Sequence, residues 1–141
     1  MAENQRGFQF PEGYPQYFGE TMKSEYLTDI PERIAEFLEG EHPQLSMTQL
    51  KAFYIHARRA ENAWRHGMPL ADAVNEIKKL EALAHDRLAK GRITQTFHDF
   101  LRKNAAYVVA GDDGRTLTAF LDHFQALVGF CAGRLSERER T

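Results

Sequence analysis

The chain has 141 residues, 43% hydrophobic and 27% charged, a formal net charge of -2 and one cysteine. This balance suits one globular domain whose core needs neither metals nor disulfides, and it excludes a solvated, disordered chain and a disulfide scaffold. No run approaches the roughly 18 apolar residues of a membrane span, and the start, MAENQRGFQF, lacks a basic-then-apolar export signal, so a cytoplasmic protein is expected.

Residues 1–28 carry Phe8, Phe10, Tyr14, Tyr17, Phe18 and Tyr26 among prolines and glycines, with neither a helical nor an alternating period. This reads as an extended N-terminal arm. It is too aromatic for a solvated tail, so it should dock, either on its own core or on a neighbouring subunit. Because its rings lie outside the helical periodicity, the arm is expected to matter more for association than for folding.

The helical bundle is expected over 29–135. DIPERIAEFLEG offers Asp29 as a cap, Pro31 in the first turn, inward Ile34, Phe37 and Leu38, and Gly40 as a stop, a short acidic helix. The stretch from Ser46 to His66 is the most informative. Ser46 and Gln49 have the spacing of a capping box, and Leu50, Phe53, Tyr54, Ala57, Ala60 and Trp64 share one arc at about 100° per residue. Lys51, Arg58, Arg59 and Arg65 gather on the other side, with Glu61 the one acid in the stretch and an intruder on the apolar arc. A charged helix face is usually a solvated one, but such faces mix signs, and this one does not. The cationic stripe is therefore a candidate surface for a polyanion.

A third helix follows Pro69, with Ala73, Val74, Ile77, Leu80, Ala84 and Leu88 inward and Lys78, Lys79, Arg87 and Lys90 off that stripe. A fourth runs from about Thr94 to Ala110, facing Phe97, Phe100, Leu101, Ala105 and Val108 inward until GDDG breaks it. In the fifth, Leu117, Phe120, Leu121, Phe124, Leu127, Val128 and Cys131 step by three and four, so it should lie deep. Residues 136–141, SERERT, are expected to fray. The fold class is thus all-α: a single-domain bundle of about five helices behind an aromatic-rich arm, with Leu50, Phe53, Trp64, Ile77, Leu88, Phe100, Phe120, Phe124 and Leu127 in its core.

Catalytic patterns are sparse. The six histidines show no HExxH or CxxC-type spacing, and no glycine-rich phosphate loop, dinucleotide fingerprint or nucleophile elbow is present. His85-Asp86, His98-Asp99 and Asp122-His123 bring HD-type metal-dependent phosphohydrolases to mind. That chemistry needs a further upstream His and downstream Asp, for which His56 and Asp122 could only be nominated without a local signature, and neighbours on a helix diverge by about 100°. No catalytic residue, metal or cofactor is expected, and Cys131 reads as a small buried hydrophobe.

Two helical motifs carry a family resemblance. Thr48-Gln49-Leu50-Lys51-Ala52-Phe53-Tyr54 resembles the Thr-x-Gln-Leu-Arg/Lys-x-Phe-Tyr helix of the small subunit of Csm complexes, the type III-A CRISPR effectors. Phe120 to Phe130 is similar to that family's closing Phe-x-x-Phe-x-Glu-Ala-Ile-Val-Ala-Tyr segment, with Gln125 and Phe130 as departures; the middle Ala-Gly-Arg motif has only Leu88-Ala89-Lys90-Gly91-Arg92 as a counterpart without the tyrosine. The resemblance covers about residues 46–131. It implies a non-catalytic helical protein in an antiviral ribonucleoprotein, self-associating in several copies and stacked with other subunits along guide RNA and target RNA. On that reading the RNA backbone would meet Lys51, Arg58, Arg59, Arg65, Lys78, Lys79 and Arg87. A type III-B small subunit and a helical adaptor that binds only protein are the alternatives.

Overall fold

The computed structural model describes residues 7–111 and 113–138. Five helices follow one another: α1 (Asp29–Glu39), α2 (Met47–Arg65), α3 (Leu70–Ala89), α4 (Gln95–Ala110) and α5 (Gly114–Cys131), preceded by a 3-10 turn at Ser24–Tyr26. No strand occurs among the described residues, so the fold is all-α. Local chemistry sets the ends. Ser46 Oγ accepts from the Gln49 amide at 3.1 Å, and Thr94 plays the same part for α4 at Phe97. In α1 the cap position falls on Thr28, and Asp29 lies within the first turn.

Short connections make sequential helices neighbours. α2 packs on α3, α3 on α4 and α4 on α5, and α2 also packs on α5, closing a four-helix ring; α1 lies on the outer side of α5. Each inward stripe meets another. Phe53 stands edge-on to Phe97 at 5.4 Å, and Phe100 and Tyr54 each stand edge-on to Phe124 at 5.3 Å. Phe120, Phe124, Leu127 and Cys131 are fully buried in α5, as the unbroken three-and-four spacing predicts. Burial raises the Cys131 thiol pKa to about 12 and keeps it protonated.

Two expected core residues are only half-buried. Leu88, in the last turn of α3, borders an open cleft with Phe37 and Ile93. Trp64 ends its stripe where α5 begins and lies against Gly114, where an added Cβ would sit 1.9 Å from the indole. Periodicity gives a direction around the helix, not the depth at its end.

The arm docks on its own core. Tyr14, Tyr17 and Tyr26 are buried, Tyr17 completely, between α4 and α5. A polar chain inside the bundle holds them. His123 Nδ1 must donate to the Tyr26 carbonyl at 2.6 Å, because a carbonyl can only accept, so Nε2 accepts from the Tyr14 hydroxyl at 2.7 Å. Asn104 donates to the Tyr14 oxygen at 2.9 Å and to the Phe100 carbonyl at 2.8 Å, and accepts from the Tyr17 hydroxyl. Burial is the main force on these groups: it lowers the His123 pKa to about 4 and raises those of both hydroxyls. The arm, expected to matter more for association than for folding, contributes three buried rings to the core. Its rings lack a period because each enters the core singly, from an extended backbone. Phe8 and Phe10 continue the cover outward, Phe8 against Phe37 at 5.7 Å.

The Ser136 and Glu137 carbonyls accept from the Met47 and Thr48 amides at 2.7 and 3.0 Å, satisfying donors that the first turn of α2 would otherwise leave open. Residues 139–141 lie outside the described residues.

Candidate nucleic-acid interface

Once α2 turns Leu50, Phe53, Ala57 and Ala60 into the ring, its adjacent stripe of Lys51, Tyr54, Arg58, Glu61 and Arg65 runs along the seam with α5. Glu61 organises that seam. Its side chain is 2% exposed and both oxygens are engaged, Oε1 by Arg58 at 2.5 Å and Oε2 by Arg65 at 3.1 Å. Arg58 also donates to the Tyr54 hydroxyl at 2.9 Å and across to Gln125 of α5 at 2.8 Å, while Arg65 reaches Thr118 of α5 at 3.1 Å. Burial opposes the Arg58 charge, but the hydrogen bonds to Glu61 and Tyr54 outweigh it and hold its pKa above the ordinary value. On α5, burial pushes the Asp122 carboxyl up, with Arg58 pulling the other way.

The apparent intruder is therefore the counter-charge that the two arginines require. Arg58 keeps 25% of its side chain exposed although Nε, Nη1 and Nη2 are each hydrogen-bonded within the seam, and Arg65, held through Nε and Nη2, keeps 50% exposed. Lys51 lies at the far end of the stripe, 3.9 Å from Glu137 and half-exposed.

The remaining candidates divide by their partners. Arg59 and Lys78 are exposed, with no carboxylate within salt-bridge distance among the described residues. Lys79 pairs with Glu76 at 2.8 Å, and Glu76 also meets His56 of α2 at 3.3 Å. Arg87 and Lys90 share Asp86, at 2.7 and 3.2 Å. These surface pairs sit in high dielectric and are readily exchanged for another anion. Lys78 also lines a groove between α3 and α4 with Arg102, His85 and His98. Arg102 was not among the sequence candidates; the Arg102-Lys103 pair interrupting an apolar helix was its signal.

The His-Asp doublets form no metal cluster among the described residues, although the His85 and His98 rings lie 6.0 Å apart between α3 and α4. His98 Nδ1 pairs with its neighbour Asp99 at 3.1 Å, His56 faces Glu76, Asp122 lies by the seam arginines, and His123 points into the arm network. No three His, Cys, Asp or Glu side chains gather as a metal site among the described residues. Among the described residues, no helix is long and apolar enough to cross a membrane.

Residues 21–132 match a family model described as Csm2 Type III-A. No curated protein and no solved structure matches the chain.

Proposed function

The chain belongs to the Csm2 type III-A family, that of the small subunit of type III-A Csm complexes, and from that premise we propose that it is a non-catalytic scaffold subunit touching the RNA backbone through its basic helix faces. It would stack in several copies with other subunits along guide RNA and target RNA, in a cytoplasmic ribonucleoprotein. The match is to the type III-A model, which favours that type over III-B.

The observation that carries the RNA contact is that Arg59 on α2 and Lys78 on α3 are exposed with no carboxylate within salt-bridge distance among the described residues, while Arg58 and Arg65 at the α2/α5 seam stay 25% and 50% exposed. From Lys51 to Arg65 the α2 stripe spans roughly 21 Å at 1.5 Å per residue, enough to follow several phosphates. Lys79 and Arg87 add further cations on α3. Phosphates position a strand without reading its bases, which suits a scaffold around a guide that must serve many targets.

Arg59→Glu with Lys78→Glu in the reconstituted effector is the direct test, because neither side chain supports the fold. Affinity should fall alike for unrelated RNAs, and the slope of log affinity against log salt should flatten by about 0.7 per lost single-strand contact. Unchanged affinity and slope, with assembly intact, would leave the protein-only adaptor as the better reading.

A further inference from the structure

Where α2 ends against the start of α5, an open groove of about 370 Å³ is lined by Phe18, Trp64, Arg65, Arg115, Thr118 and Asp122, among others. Phe18 and Trp64 are both half-buried, so their rings retain exposed surface at the groove. Each carries a guanidinium: Arg115 is centred 3.8 Å from the Phe18 centroid and Arg65 5.6 Å from that of Trp64. Both are restrained before any ligand arrives, Arg115 by the Glu20 carbonyl at 3.2 Å and Arg65 by Glu61 and Thr118.

Charge narrows the ligand. Arg65 and Arg115 face Asp122 within the groove and Glu61 behind it, two cations against two acids, so the site has little preference for a phosphate. It offers ring and guanidinium surfaces for stacking, with fixed N–H donors, a hydroxyl and a carboxyl at their edges. Those are the groups that hold a flat, neutral heteroaromatic ring with polar edges. The groove also continues the α2 stripe at Arg65, so a strand lying on that stripe could reach it with a base.

We propose that this groove takes one unpaired base of single-stranded RNA, stacked against Phe18 and Trp64. The proposal rests on the RNA-contact reading above and adds to it a site for a base, distinct from the phosphate-facing cations.

Trp64 is the single tryptophan of the chain, so its emission reports the groove alone. The purified full chain is titrated with a short unstructured RNA and with a ribose-phosphate oligomer of equal length lacking bases. Anisotropy follows binding and tryptophan emission follows the groove. RNA should quench Trp64, whereas the abasic oligomer should bind without quenching. Phe18→Leu, with an unchanged melt, should weaken RNA about five- to a hundredfold and leave the abasic oligomer alone, and Phe18→Tyr should restore binding. RNA that binds while Trp64 emission and the Phe18→Leu affinity stay unchanged overturns the groove and leaves the backbone reading standing. Absence of binding by either oligomer at millimolar concentration overturns both. Quenching by another effector subunit but not by RNA would make the groove a protein contact and overturn the base site.

Discussion

Tyr17→Ala tests whether the arm belongs to the core. Tyr17 is fully buried, stands edge-on to Tyr26 and Tyr107 at 5.4 and 5.0 Å, and donates to Asn104 from within the bundle. Removing a buried ring costs about 3 to 5 kcal/mol, and leaving the Asn104 acceptor open costs about 1 to 3 more. A domain of this size has about 5 to 15 kcal/mol in total, so the variant should be largely unfolded or melt tens of degrees lower. Tyr17→Phe separates the two contributions. It keeps the ring and removes only the hydroxyl, so it should cost about 1 to 3 kcal/mol, a drop of about 4 to 12 °C. Circular dichroism melts give both numbers, and sedimentation of the same samples gives association. A Tyr17→Ala chain that melts like the parent while losing self-association would refute the docked arm and return it to an intersubunit role.

Further outcomes follow from single contacts. His123 titrates near 6.5 when unfolded and near 4 when folded; the unfolded chain therefore binds the extra proton between those values, so stability should be fully present above about pH 6.5 and fall by about 3 kcal/mol as pH drops toward 4, seen in urea unfolding across that range. In His123→Gln that component of the pH dependence should vanish. Gly114→Ala places a Cβ 1.9 Å from Trp64, so although alanine usually favours a helix, the melt should show destabilisation of about 1 to 3 kcal/mol; a rise in melting temperature would mean that Trp64 does not rest there. Arg58→Glu sets a second acid beside buried Glu61 and should destabilise by about 3 kcal/mol or more, whereas Arg59→Glu should change stability by less than about 0.5 kcal/mol. Equal melts for those two variants would deny Glu61 its organising role.

The periodicity of this chain by itself determined five helices, their order and most of their buried faces, because a helix is a local object whose apolar stripe recurs every three or four residues. The cap at Ser46 and the stop at Gly40 were legible for the same reason. The two motifs around Tyr54 and Phe124, on the helix pair that forms the seam, pointed to the family by their residue order. Tertiary structure decided what those positions do to one another. Arg58 and Arg65 read as a free stripe until α5 arrived beside them and Glu61 proved to be their shared partner. Arg59, one residue from Arg58, points about 100° away and stays open. The arm could not be read at all in this sense: Tyr14, Tyr17 and Tyr26 meet Asn104 and His123 some 80 to 110 positions further on, and no local period encodes a hydrogen bond across that distance. Nor could spacing place Arg115 over Phe18, since that contact exists only once the arm has been drawn across the start of α5.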